Sequence, residues 1–266
     1  MLVVIKGAGD LATGIAHRLK RSGFHIVMTE IDKPTTVRRT VAFSQAVFDN
    51  EVEIEGIKGV KVKDIDEIYN EIKKGNIPVI IDEKASVIKS LKPQAVVDAI
   101  IAKRNISTSI DDAPIVIGVG PGFEAKVDCH LVIETKRGHY LGKVIEEGTA
   151  IPNTGVPGNI GGYTRERIIR ASSDGKIKPI VKIGDFVKKG QIVAYVDGVE
   201  ILAEIDGIVR GMLQEGIEVF KGMKSGDIDP RCEKNHCFTI SDKARSIGGG
   251  VLEAIMYMNN KNLNLE

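Results

Sequence analysis

The chain has 266 residues, 42% hydrophobic and 27% charged, with a formal net charge of +1. That is ordinary globular composition, enough for one large or two modest domains, and the near-neutral balance removes the electrostatic case for nucleic acid. With no tryptophan and few aromatics there is no stacking platform for single-stranded bases, and three cysteines make no disulfide framework. No apolar run is long enough to span a bilayer. The N-terminal "MLVVIKGAGD" lacks the basic start, long apolar stretch and cleavage site of a signal peptide, so a soluble, cytoplasmic protein is expected.

Leu2 to Ile5 form a short apolar run that suits a strand buried on both faces of a parallel sheet. Gly7, Gly9 and Ala12 follow as G-x-G-x-x-A, with Gly14 one step beyond. Gly7 allows the tight turn, Gly9 lets a phosphate approach the backbone, and Ala12 lets the helix pack on the strand. Ile15, Ala16 and Leu19 continue at helical spacing, and the helix N-terminus offers N–H groups to an anion. Asp10 is awkward beside phosphates and either caps the helix or faces another part of the site. After Gly23, "FHIVMTEID" reads as a second strand ending at Glu30, where an acid would reach a ribose hydroxyl. The residues favour nucleotide binding over a turn of this shape without a ligand.

Pro34 starts an interrupted helix, on which Arg38 and Arg39 either approach an anionic ligand or lie on a solvated face. "DIDEIYNEIKKG" is an amphipathic helix, "IPVIID" a buried strand, and "ASVIKSLK" with "AVVDAII" repeat helix then strand. Alternation of this kind predicts a parallel sheet with helices on its faces. "APIVIGVGPGF" is an apolar strand running into Gly118, Gly120 and Gly122, and "DCHLVIET" a further strand from Cys129 to Glu134. A second glycine turn at the C-terminal edge of such a sheet would lie near the first. The other reading of it is a plain tight turn.

Residues 136–174 are rich in Gly, Pro, Asn and Thr. So long a loop in a compact chain is functional or disordered. Arg137 and Arg165 are candidates to hold phosphate or carboxylate, Asn153 and Thr154 to contact the ligand, and His139 to act as acid or base. "GDFVKKG" at 184–190 and "GIEVFKG" at 216–222 share G-x-x-V-x-K-G at an offset of 32. Asp197-Gly198 and Asp206-Gly207 between them read as hairpin turns. The layout over 175–225 resembles biotinyl and lipoyl carrier domains. The central turn "VDGVEI" carries no lysine, so a swinging arm is not expected. In the tail, Asp227, Asp229, Arg231, Asp242, Lys243 and Arg245 cluster, and Val251 to Met258 is helical. Cys232, His236 and Cys237 have no standard metal-pair spacing, and Cys129 and His130 point to opposite faces of a strand, so no metal site is expected.

The expected fold class is α/β, a Rossmann-like parallel-sheet domain plus a small β-rich barrel-sandwich-like domain. The expected boundaries are 1–135 for the first, 136–174 for the functional loop region, 175–225 for the β module, and 226–266 for a segment packing back on the α/β domain. "IKGAGDLATGIAHRL", "MTEIDKPTTVRRTVAFSQAV", "VGPGFEAKVDCHLVIETKRGHYLGKV", "PNTGVPG" and "SGDIDPR…TISDKARSIGGGVLEAI" carry a resemblance over nearly the whole chain. It is to the selenium-dependent molybdenum hydroxylase system family, itself similar to xanthine dehydrogenase accessory proteins. The resemblance implies a maturation role, a molybdenum hydroxylase subunit as partner, and a molybdopterin dinucleotide as candidate cofactor. NAD(P), with an oxidoreductase activity, is the alternative, and a nucleotide-sensing scaffold the third. No catalytic Tyr-x-x-x-Lys supports the oxidoreductase, homo-oligomerisation is open, and the cysteines match no motif of the family.

Overall fold

In the computed structural model, which describes residues 1–156 and 158–263, the chain divides into two units. The first holds 1–34, 43–153 and 240 onward; the second holds 35–42 and 154–239. The division runs through the 136–174 stretch and sends residues 35–42 away from their sequence neighbours.

In the first unit the apolar runs become strands β1 (Leu2–Lys6), β2 (His25–Glu30), β3 (Glu51–Ile54), β4 (Ile57–Val62), β5 (Ile77–Ile81), β6 (Ala95–Asp98), β7 (Ile115–Val119), β8 (Glu124–Ala125), β9 (Leu131–Ile133), β10 (Val144–Ile145) and β11 (Gly148–Thr149). The helices are α1 (Asp10–Arg21), α2 (Ala46–Asp49), α3 (Ile65–Lys73), α4 (Val87–Leu91) and α5 (Asp242–Leu263). Nine strands form one sheet in the order β10-β9-β7-β6-β1-β2-β5-β4-β3. The neighbours from β9 to β4 are parallel, and β10 and β3 close the edges antiparallel. Strands covered on both faces explain why β1, β5 and β7 are nearly all apolar. Val3, Ile5, Ile26 and Met28 pack under α1 and α5, while Val4, Val27 and Val96 pack with Ile68 of α3 and Ile88 of α4. Alternate residues of a strand point to opposite faces, so each strand feeds both cores.

Three features go beyond the reading of the local sequence. Residues 51–62 form an antiparallel hairpin turned by Glu55 (φ 46°) and Gly56 (φ 80°), after only short helical turns and α2 behind Pro34. The final helix extends far beyond Val251–Met258. Gly14 faces α5: a Cβ there would lie 2.6 Å from Ala244 Cβ, and one on Gly248 would lie 2.8 Å from Gly14 O. These contacts put α1 and α5 side by side and parallel, with their N-termini at the same end.

His130 ties β7 to the strand beside it: its ring Nδ1 accepts the Val116 N–H at 3.0 Å, and its backbone N–H donates to Val116 O. The bond needs a neutral ring, and burial pushes the pKa below 6.5. The unfolded chain therefore takes up the proton first, so this contribution is complete above pH 6.5 and declines as pH falls below it. His17 is shifted the same way, chiefly by burial. Denaturant titrations across that range should show stability falling with pH, and His130→Gln should flatten part of the fall; an unchanged slope contradicts the assignment.

The second unit is antiparallel. Its strands are β12 (Ile168–Arg170), β13 (Gly175–Pro179), β14 (Phe186–Val187), β15 (Ile192–Val196), β16 (Val199–Leu202), β17 (Gly207–Met212), β18 (Glu218–Val219) and β19 (Lys224–Asp229). They form two four-stranded sheets, β12-β19-β17-β14 and β16-β15-β13-β18. The sequence repeat has a structural counterpart. Asp206 Oδ1 accepts the Lys189 amide at 2.7 Å, and Asp174 Oδ1 accepts the Lys221 amide at 2.7 Å. Gly190 N–H donates to Ala203 O and Gly222 N–H to Ala171 O, at the same offset. Asp197 (φ 45°) and Gly198 (φ 89°) turn the β15–β16 hairpin as expected. Asp206-Gly207 does not make a hairpin: Gly207 opens β17 and Asp206 caps the other half. No helix among the described residues is long and apolar enough to cross a membrane.

Candidate functional site

In the nine-stranded sheet, the chain proceeds from β1 to β2 and β5 on one side, and through β6, β7 and β9 on the other. The direction reverses between β1 and β6, and in open α/β sheets ligands bind at the strands' carboxyl ends beside such a reversal. Gly7 and Gly9 stand there. Gly7 adopts φ 88°, and a Cβ on it would lie 3.1 Å from Ala99 O and Ile100 Cα in the loop after β6. Its need for glycine is thus already explained by packing between the two loops. Gly9 is the N-cap of α1, with extended backbone (φ −66°, ψ −176°) and no side-chain cap. Ala12 is fully buried.

Glu30 comes to the loop but is occupied. Its Oε2 accepts the Ala8 N–H and its Oε1 the Ile31 N–H, both at 2.9 Å. Burial raises its pKa and the two amides oppose the rise. The acid expected to meet a ribose therefore braces the glycine loop, helped by Ser44 N–H and the Thr13 hydroxyl on Ala8 O. On the opposite face of the same edge, Lys6 Nζ lies 2.9 Å from Thr108 Oγ1 and from Asp112 Oδ2, and Thr108 Oγ1 donates to Asp98 Oδ2 at 2.6 Å. Lys6 and Asp98 are both buried and end adjacent strands. Their charges fix the 107–112 loop.

Lys243, near the start of α5, is the residue that gathers the other side of the edge. It is half-buried, and burial and then Arg137 lower its pKa, while Asp10, Glu134 and Asp242 oppose. Arg137, expected to hold an anion, is in a two-pronged pair with Asp242. Glu134 accepts the Lys136 and Ile151 amides at 2.7 and 2.8 Å. Lys243 was seen in the sequence only as part of a charged tail. Its distance from Asp10 along the chain hides the parallel seating of α1 and α5.

The second glycine turn follows β7, which β6 separates from β1 in the sheet. Gly120 (φ 87°) packs against Thr135, and Gly122 (φ 109°) against the backbone at Arg104. Gly122 and Asn153 line a cleft with Lys103, Glu124, Asp128 and Thr149. His139 is exposed, with its ring edge-on to Tyr140 at 4.9 Å. Thr154 and Arg165 belong to the second unit and are exposed. Cys129 is buried with its thiol pushed up to about 12, chiefly by burial, which suits a core thiol and not a nucleophile. Cys237 is also buried and shifted upward by burial, while Cys232 is exposed. No group of three or more His, Cys, Asp or Glu among the described residues is arranged to hold a metal.

No family model matches the chain. A curated relative, the uncharacterized protein YqeB of Escherichia coli (strain K12), is 52% identical over 257 residues, covering 97% of this chain and 48% of that protein. The chain thus spans about half the length of the curated relative it matches. Solved structures with similarity include a succinylglutamate desuccinylase from Silicibacter (10% identity, 85% and 84% of the two chains, TM-score 0.25). An aspartoacylase family protein from Mesorhizobium loti gives 11% identity, 85% and 84% coverage and a TM-score of 0.29. A succinylglutamate desuccinylase/aspartoacylase from Rhodobacter sphaeroides gives 15%, 85% and 84%, and 0.28. Superpositions this poor transfer neither fold nor activity. The family expectation is nevertheless corrected: the relative is described only as an uncharacterized protein and the solved structures as a desuccinylase, an aspartoacylase family protein and a desuccinylase/aspartoacylase, and none of these descriptions names a molybdenum hydroxylase system. The selenium-dependent maturation role and the hydroxylase partner are withdrawn with it.

Proposed function

We propose that the first unit is a Rossmann-like module that binds a phosphate-bearing, nucleotide-type ligand at the C-terminal edge of its sheet. The observation that carries this reading is the uncapped N-terminus of α1, set behind Gly7 and Gly9 where the strand order reverses. Backbone N–H groups of a helix start and its dipole favour an anion. Lys243 adds a cation from α5, whose N-terminus lies at the same end. Glu30 holds the loop in shape through Ala8. The second unit is proposed as a barrel-sandwich-like module without a covalent carrier group, since its central Asp197-Gly198 turn bears no lysine.

The test is calorimetric titration of the whole chain with ADP and with NAD. Gly9→Val suits the extended backbone at this position and places a branched side chain over the helix start, so it should abolish binding while leaving the melting curve nearly unchanged. Lys243→Met should weaken it by about tenfold, the value of one charge-assisted contact. Binding by both variants as tight as wild type removes the glycine loop from the site.

A further inference from the structure

We propose that the second unit contains an oxyanion site of its own, built on Arg167 and Arg210 and taking a phosphoryl group. The site lies along one sheet, where β12 and β17 flank β19. Asp227 and Asp229, two apart on β19, point to the same face. Arg167 pairs with Asp227, and both side chains are over nine-tenths buried. Arg210 sits in the β17 bulge opposite, with Nε donating to His236 O at 3.3 Å and lying 3.8 Å from Asp229 Oδ2. Asp229 cannot serve it further, because Arg231 takes Asp229 Oδ1 at 2.9 Å and Oδ2 at 2.7 Å. Arg38 adds a guanidinium beside the same His236 carbonyl.

Three observations mark this as a place for an anion and not a closed ion-pair network. Arg167 Nε is buried and finds no acceptor among the described residues, and neither does His236 Nδ1. An unmet donor in such a place carries an uncompensated desolvation cost, larger beside a charge. Arg210, 9% exposed, donates through Nε alone among the described residues, and its two Nη groups, which are not among the buried atoms without a partner, are open to solvent and to an incoming anion. Burial and the neighbouring Arg38 and Arg231 lower its pKa despite Asp227 and Asp229, so the surroundings are short of negative charge. Arg167 and Arg210 stand against neighbouring carboxylates of β19, and His236 adjoins Arg210 through its carbonyl. A tetrahedral dianion, with acceptors on all its oxygens, answers them better than a planar carboxylate.

The experiment measures anion binding to the full chain by calorimetry and by thermal shift, at constant ionic strength set with chloride. Inorganic phosphate and glycerol phosphate are the two probes, separating free phosphate from a phosphorylated metabolite as the source. At least one should bind and raise the melting temperature in a dose-dependent way. Arg210→Met should lose that binding, and Arg210→Lys, which keeps the charge without the fork, should weaken it by about tenfold. Gly9→Val should keep it, which separates this site from the glycine loop. Three results overturn the proposal: neither probe binding beyond the chloride effect, Arg210→Lys and Arg210→Met binding like wild type, or Gly9→Val alone abolishing the response.

Discussion

Asp227→Leu should cost the chain about 3–5 kcal/mol of unfolding free energy. The carboxylate is 4% exposed and pairs with Arg167, itself 8% exposed. Removing it leaves a buried guanidinium without a counter-charge, and that is the expensive half of breaking a buried pair. Burial already raises the pKa of Asp227, so the ion pair holds its charge against the surroundings. Adding Arg167→Met to the variant should recover most of the loss, because two well-packed apolar side chains replace a buried pair at little cost. Urea unfolding followed by far-ultraviolet circular dichroism is the measurement, tryptophan being absent from the chain. A single variant within about 0.5 kcal/mol of wild type would show that the pair is solvated.

Gly14→Val should destabilise the first unit by about 3 kcal/mol, the upper end of ordinary overpacking. Even the first carbon of the new side chain would meet Ala244 Cβ at 2.6 Å and Ala244 O at 2.8 Å. The oxygen is backbone and cannot rotate away, so α1 and α5 must separate. That opens a seam in the core that holds Ile15, Leu19, Ile247 and Val251. Gly14→Ala should cost less, about 1–2 kcal/mol, and Ala244→Gly should restore part of it. The same unfolding titration decides, and equal stability of Gly14→Val and wild type would mean the helices are not seated as described.

The alternation of strand and helix was legible because each element keeps its own period. The apolar run of β1, the G-x-G turn and the helical spacing of Ile15, Ala16 and Leu19 sit within twenty residues, where local sequence decides. The β15–β16 hairpin was legible for the same reason, through Asp197-Gly198. The β3–β4 hairpin was hidden by a Glu-Gly turn in place of the commoner Asn-Gly or Asp-Gly pair. Sequence reasoning placed Gly14 with the phosphate turn, yet its neighbour Ala244 lies 230 positions away and no local pattern points to it. Lys243 and Arg167 were obscure for that reason too. Their partners, Asp10 and Asp227, come near only through the packing of distant elements. Glu30 was found at the right edge, but its two oxygens answer backbone amides, and only the folded loop shows which donors reach them first.

The paired aspartates of the second unit decide how that unit can come apart. Asp174 secures the turn at Lys221, and Asp206 secures the turn at Lys189, so each half carries the latch of the other. Neither half completes its own turn. Cutting the chain between them leaves two fragments that each expose an open amide and an idle carboxylate, complementary to one another.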